Sequence, residues 1–281
     1  MCPFTLTNDV YKYYLKILEL VEIDSADKRF HIVVPENYVK FPQHFSLAQA
    51  LLFSPKAIKR IQQIIQGGRA GQAYIVPGMS PNEYDVKLSV ALAVPILSGE
   101  PEKIAMFQTK SGAKRIFQAA DVPTPISAYD IYDKNEFLNS LARLVAHNLF
   151  VNTWIFKIDD EFNGRGHATL AVDSIKTILE LRKRKIEMTE PIIEKIQEVI
   201  SKVLPKKAKI ASLGLYRSWE EYLDQFCRVG GVIEAAPMCP PNTLASPSIA
   251  FFIEPDGKIE LIGSFDKFAA KEYINAGCFF P

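Results

Sequence analysis

Lys157 is the residue of this chain whose position points most directly to chemistry. It ends an apolar strand pattern at residues 154–157, and the run Asn-Gly-Arg-Gly follows at residues 163–166, before a second strand pattern at residues 168–172. A lysine supplies a compact positive charge, and glycines let backbone N–H groups approach phosphate oxygens without a Cβ in the way. The arrangement predicts a β-hairpin that folds over a triphosphate, and an ordinary hairpin is the alternative.

Two further charged residues stand at positions that suit such a site. Lys110 precedes a predicted helix that the prolines of residues 121–125 end, and Glu234 is a single carboxylate inside the apolar strand pattern of residues 231–235. Prolines cannot continue a helix, so residues 121–125 are expected to leave it in an extended conformation. Each charged residue also has a structural alternative, with Lys110 as an exposed helix-start lysine and Glu234 as a strand residue facing solvent.

The composition is that of an ordinary globular protein. The 281 residues suffice for one large or two ordinary domains, and 48% are hydrophobic and 23% charged. A net charge of +1 argues against nucleic acid as a partner, and no apolar run approaches the ~18 residues that cross a bilayer. We expect a soluble, cytoplasmic protein without membrane contact. Its cysteines show no CxxC spacing, so reduced thiols are expected. They are Cys2, Cys227, Cys239 and Cys278.

Strand and helix patterns alternate along the first hundred residues. Such alternation favours a parallel sheet with helices on its faces. Residues 77–80 follow a predicted strand, where ligands of parallel sheets bind, although an ordinary strand-to-helix turn is the favoured interpretation. The predicted strands are residues 30–35, 73–78 and 94–97, and the predicted helices are residues 47–65 and 82–92.

The later part of the chain predicts more helices and then a strand-rich end. Asp256-Gly257 after a proline, between two β-rich runs, is a strong hairpin signal. The basic cluster at residues 182–185 is interpreted as a solvated helix end, where cations are favoured, and residues 205–209 as an exposed loop. The predicted helices are residues 115–120, 136–147, 174–185 and 192–204, and the predicted C-terminal strands are residues 231–235, 248–253 and 258–262.

Taken in order, these features resemble the ATP-grasp superfamily, and in particular its peptide ligases with an additional pre-ATP-grasp domain. The resemblance covers roughly residues 70–281. It implies an α/β (α+β) fold with an N-terminal Rossmann-like pre-ATP-grasp domain at residues 1–108, followed by an ATP-grasp-like domain at residues 109–281, truncated at its C-terminal end. The matching stretches are residues 109–117, 157–168, 246–248, the Pro-Asp-Gly hairpin and residues 277–281.

The same resemblance implies ATP as the cofactor and assigns roles to individual residues. Lys110 matches the first nucleotide lysine of the family, near the α-phosphate, and Lys157 matches the second, which bridges the α- and β-phosphates. Glu234 lies on the hinge strand where the family holds adenine and ribose. Point charges and backbone amides suit a polyanion. The loop that would close over the phosphates consists of Asn163, Gly164, Arg165 and Gly166.

Some residues depart from the family pattern. Asp159, Asp160 and Glu161 follow Lys157 directly and are expected to oppose phosphate binding unless magnesium lies between the charges. His167 stands where an amide side chain is typical. The carboxylate and asparagine that bind magnesium in the family are expected beyond residue 281, so the metal ligands are not identified in this chain.

Three functions follow from these observations. The preferred hypothesis is a nucleotide-binding, ligase-derived or regulatory module that meets protein partners through a longer chain. The alternatives are an ATP-dependent carboxylate–amine ligase completed by a later segment, and a scaffold that no longer binds nucleotide. Residues 61–67 begin like a calmodulin-binding IQ motif, but Gln66 replaces the expected basic residue and Gly67 ends the helix. Calmodulin is therefore not expected as a partner of this segment.

Overall fold

A computed structural model describes residues 1–68, 73–183, 187–239, 243–254, 256–270 and 273–280. The chain divides into two compact units, residues 1–105 and residues 106–281. The domain boundary expected between residues 108 and 109 stays a prediction.

The first unit is mainly helical. Its helices pack around a small apolar core that includes Leu51, Ile75 and Leu88. The described helices are α1 (Asn8–Leu20), α2 (Ala26–Arg29), a 3₁₀ turn (Tyr38–Lys40), α3 (Leu47–Leu52), α4 (Pro55–Gly67) and α5 (Glu83–Leu92), followed by α6 (Pro101–Phe107), which crosses the boundary between the units.

The single helix predicted at residues 47–65 is wrong, because the structure has α3 and α4 in its place. Pro55 is the first residue of α4, where a missing N–H costs no hydrogen bond. Inside a continuous helix the same proline would clash with the preceding turn. The Ser54 hydroxyl donates to the Ala50 carbonyl at 2.7 Å, so this carbonyl near the end of α3 has a hydrogen-bond donor where the helix stops.

The three-stranded parallel arrangement predicted for the first unit is not confirmed. Residues 30–35 form no strand, and the pairing among the described residues of this unit is one parallel bridge, Ile75 to Ile96. Prolines explain the interruption, since Pro35, Pro77 and Pro95 lie in or beside the predicted strands and lack the N–H that a ladder needs. The Rossmann-like description of this unit is therefore not supported by a regular sheet.

The second unit contains a five-stranded antiparallel sheet in the order β1-β5-β2-β3-β4. The predicted hairpin at Lys157 is confirmed as β2 and β3, with Lys157 opposite His167. The strands are β1 (Ser127–Ala128), β2 (Thr153–Ile158), β3 (His167–Ala171), β4 (Lys209–Ile210) and β5 (Gly231–Ala235), and the helices are α7 (Lys110–Ala119), α8 (Lys134–His147), α9 (Lys176–Lys183), α10 (Glu190–Lys207) and α11 (Trp219–Val229).

One prediction about the basic segments of this unit needs correction. Residues 205–207 are not a loop, because α10 continues through Pro205 to Lys207. Near a helix end the proline removes one hydrogen bond, while the buried side chain of Leu204 holds the last turn against the core. In the basic cluster, Arg182 donates to the carbonyl of Val151 at 2.9 Å, and residues 184 and 185 lie outside the described residues.

A second antiparallel sheet of three strands, in the order β6-β7-β8, follows in the same unit. The hairpin predicted at Asp256-Gly257 is confirmed, since β6 and β7 pair and Gly257 has a φ of 86°, a left-handed value that favours glycine. Pro255 lies outside the described residues. The strands are β6 (Ser246–Ile253), β7 (Ile259–Ala269) and β8 (Asn275–Phe279).

Aromatic side chains of α8, α11 and β2 form the centre of the core behind the hairpin. Phe137, Phe156 and Phe226 are fully buried, and the Phe137 ring lies 5.0 Å from that of Phe156. The Tyr222 hydroxyl is buried with them, and its single proton is shared between the carbonyls of Phe156 at 3.1 Å and Gly166 at 2.9 Å. Tyr222 therefore joins β2 to Gly166, the last residue of the segment 163–166, which is called the glycine loop.

Replacing Tyr222 with phenylalanine is expected to lower the free energy of unfolding by about 1–2 kcal/mol, since both carbonyls lose a buried donor without a large change in volume. Chemical denaturation monitored by circular dichroism measures the change. The matched control is Tyr13→Phe, because the side chain of Tyr13 is 64% exposed. Equal stabilities of the two variants would contradict the role given to this hydroxyl.

Candidate functional site

The candidate site lies on one face of the five-stranded sheet, where two open clefts adjoin. Side chains two residues apart on a strand share a face, and Ile155 of β2 lies opposite Glu234 of β5. Lys157, His167 and Glu234 therefore lie on one face, and all three line both clefts. The first cleft, of about 410 Å³, also contacts the second sheet, and the other has about 370 Å³.

Glu234 joins two lysines at the point where the clefts meet. Its Oε1 contacts the ammonium of Lys157, and its Oε2 lies 2.9 Å from the ammonium of Lys114. The Lys114 and Glu234 side chains are each 10% exposed, and that of Lys157 is 24% exposed. Burial raises the pKa of Glu234, but the charges and hydrogen bonds of Lys157 and Lys114 outweigh it and hold the pKa below its ordinary value. Glu234 is thus a buried, ionised partner of two cations, and the solvent-facing alternative is wrong.

Lys110 has different partners, although it lines the second cleft with Lys157. Its ammonium donates to the carbonyls of Ile158 at 2.7 Å, Asp159 at 3.3 Å and Glu161 at 2.5 Å. Burial lowers the pKa of Lys110, and the charge of Lys157 lowers it further, while the nearby carboxylates oppose the change. Lys110 therefore holds the turn that follows β2.

The glycine loop lies only partly on the clefts. Asn163 and Gly164 line the first cleft and have φ values of 54° and 82°, both left-handed. The Asn163 carbonyl accepts from the backbone N–H of Asn275 in β8 at 3.0 Å, which ties the loop to the second sheet. Arg165 is exposed and lies 3.3 Å from Glu161, and Gly166 is buried, and neither residue lines either cleft.

The three carboxylates after Lys157 do not point into the clefts, contrary to the expectation from the sequence. Asp159 accepts from the backbone N–H of Ser111 at 2.9 Å and from its hydroxyl at 3.0 Å, so it caps the first turn of α7. Glu161 accepts from the hydroxyl of Tyr216 at 3.0 Å, and Asp160 is exposed. None of the three is among the residues that line either cleft, although their charges still act on Lys110.

Sequence analysis overlooked Lys114 as a member of this site. Lys114 lies four residues after Lys110 in α7, a spacing that places both side chains on the same face of a helix. That spacing was the available signal, but nothing in the sequence alone said which of the two lysines would meet Glu234.

No group of three or more His, Cys, Asp or Glu side chains within the described ranges is arranged to hold a metal ion. No helix in the same ranges is both long and apolar enough to cross a membrane.

Comparison with known proteins identifies relatives for most of the chain. A family model described as IQCH-like, ATP-grasp matches residues 101–281. IQ motif-containing protein H of Danio rerio is 31% identical over 301 residues, which cover 99% of this chain and 28% of that protein. The chain therefore spans little more than a quarter of this relative.

Among solved structures, D-alanyl-alanine synthetase A of Vibrio cholerae is 14% identical, with a TM-score of 0.39 over 70% of this chain and 46% of that one. The biotin carboxylase domain of the 2-oxoglutarate carboxylase of Hydrogenobacter thermophilus, solved with MgADP, is 14% identical, with a TM-score of 0.41 over 85% of this chain and 43% of that one.

Proposed function

Because this chain belongs to the IQCH-like ATP-grasp family, we propose that residues 106–281 bind ATP in the two adjoining clefts. The module acts as a regulatory or ligase-derived nucleotide-binding part of a longer protein. The observation that carries this proposal is the convergence of three lysines and one carboxylate at a half-buried cleft beside a glycine loop.

The charge of the cleft supports a polyanionic ligand. Lys110, Lys114 and Lys157 bring three positive charges to its lining, and Glu234 neutralises only one of them. A partly buried surplus of positive charge attracts an anion more strongly than a surface charge does, because solvent screens it less. Phosphate oxygens would supply negative charge, and acceptors for the donors that Lys114 and Lys157 do not use on Glu234.

The described residues suggest how the ligand is held. The ammonium of Lys157 is the most exposed member of its ion-pair group and faces both clefts. The left-handed backbone at Asn163 and Gly164 lies at the rim of the first cleft, where amides can approach phosphate. Apolar side chains of Phe117 and Val122 in the second cleft offer a surface for the base. Among the residues that the structure describes, no set of ligands for magnesium is present, and Glu234 already pairs with two lysines.

A thermal-shift titration with ATP, with and without magnesium, tests the proposal. ATP at 100 times its Kd is expected to stabilise the wild-type protein by about 2.7 kcal/mol. Lys157→Ala is expected to bind about tenfold to a hundredfold more weakly, because a charge-assisted hydrogen bond to phosphate is lost. The control is Lys202→Ala, since the side chain of Lys202 is 71% exposed on α10.

The absence of any shift in the wild-type protein would refute nucleotide binding and leave the scaffold alternative. An equal shift in Lys157→Ala would instead refute the placement of ATP at Lys157. Release of inorganic phosphate that depends on an added amino acid or peptide would instead support the carboxylate–amine ligase.

A further inference from the structure

We propose that Lys114, and not Lys110, is the second lysine that contacts the phosphates beside Lys157. The inference rests on the proposed nucleotide site and assigns its cationic partner, which the sequence resemblance placed at Lys110.

The hydrogen bonds of Lys110 argue against a phosphate contact. A lysine ammonium has three N–H donors. The ammonium of Lys110 lies within 3.3 Å of three backbone carbonyls, those of Ile158, Asp159 and Glu161, so each donor has an acceptor. A phosphate oxygen would have to displace one of these carbonyls, which would leave a polar group of the turn without its donor.

Lys114 has the opposite arrangement. It lies one helical turn further along α7, and its ammonium meets Glu234 at 2.9 Å in the wall of the same cleft. Glu234 uses its other oxygen for Lys157, so one carboxylate holds two ammonium groups next to each other. The ion pair occupies one of the three donors of Lys114 and leaves the others for an incoming anion.

The side-chain burial of Lys114 strengthens the assignment. Its side chain is 10% exposed, so its position is fixed by packing in α7 and does not have to be ordered when a ligand binds. Two fixed cations that share one carboxylate carry a net positive charge of one, and a phosphate oxygen between them completes the neutralisation. Glu234 then acts as a positioning residue, which keeps the two ammonium groups close to each other.

Isothermal titration calorimetry of Lys114→Met and Lys110→Met with ATP tests the assignment. Methionine retains most of the apolar stem of lysine, so packing in α7 changes little. Lys114→Met is expected to weaken ATP binding about tenfold to a hundredfold. Lys110→Met is expected to melt at a lower temperature, because the turn after β2 loses its donor. It is expected to weaken ATP binding by a smaller factor than Lys114→Met does, since it removes a charge near the cleft but no phosphate contact.

A phosphate-only probe and a charge-conserving variant separate contact from folding. Tripolyphosphate, measured as a competitor of ATP, is expected to lose affinity for Lys114→Met by the same factor as ATP, and Lys114→Arg is expected to retain most of the binding. The exposed control Lys202→Met should bind like wild type.

The outcomes distinguish this inference from the function on which it rests. If the wild-type protein does not bind ATP, both the proposed function and the assignment of Lys114 are refuted. If ATP binding is lost in Lys110→Met and kept in Lys114→Met, only the assignment of Lys114 is refuted. The role that the sequence resemblance gave to Lys110 would then be supported. If Lys110→Met does not fold, the tripolyphosphate result for Lys114→Met decides, and an unchanged affinity there overturns the assignment.

Discussion

Replacing Glu234 with alanine is expected to lower the free energy of unfolding by about 3–5 kcal/mol, the usual loss when one partner of a buried ion pair is removed. The variant leaves the ammonium groups of Lys114 and Lys157 next to each other without the carboxylate that now separates them. Lys114 is the more affected, since its side chain is 10% exposed and cannot easily reach water. Urea denaturation at pH 7 measures the loss.

The variant Glu234→Gln, measured over a series of pH values, tests whether the charge of Glu234 causes this loss of stability. The folded pKa of Glu234 is below its unfolded value of 4.5, so the stability it contributes is present above that pH and is lost as the pH falls through the folded pKa. The difference between wild type and Glu234→Gln is therefore expected to be largest at neutral pH and to shrink in acid. A difference that stays constant from pH 7 to pH 3 would assign the effect to shape and not to charge.

Replacing Gly231 with alanine is expected to destabilise the second unit by about 3 kcal/mol or more. An added Cβ would lie 2.4 Å from the Phe226 ring and 2.6 Å from the backbone carbonyl of Lys157. Neither neighbour can move freely, because Phe226 belongs to the aromatic core and the carbonyl belongs to β2. Overpacking in a fixed core usually costs 1–3 kcal/mol, and a backbone clash adds to it.

Differential scanning calorimetry measures this change, and Gly214→Ala is the matched control. An added Cβ at Gly214 meets no atom within 4 Å, so its effect is expected to stay within about 0.5 kcal/mol. A melting temperature for Gly231→Ala equal to that of the control would mean that β5 can shift away from Phe226.

The sequence predicted the second unit better than the first because its signals are local. The hairpin at Lys157 follows from alternating apolar residues around a glycine loop, and the hairpin at Gly257 follows from a turn that needs a left-handed residue. Helix α11 and strand β8 were missed, although the Ser218 side chain caps α11 by accepting from the backbone N–H of Glu221.

The partners of the charged side chains could not be predicted, because they depend on contacts between distant residues. Asp159 and Ser111 are 48 positions apart, and Lys157 and Glu234 are 77 apart. In the first unit, apolar runs that read as strands contain prolines, and a pattern of period two says nothing about whether a neighbouring strand exists to pair with them. Local sequence sets which residues are buried, whereas tertiary packing decides which charges meet.

The hydrogen bond from the Asn275 amide to the Asn163 carbonyl has a practical consequence. That amide can exchange its proton with solvent only when the glycine loop lifts away from β8, since its acceptor belongs to the loop. Deuterium uptake at this single position therefore reports how often the loop separates from β8.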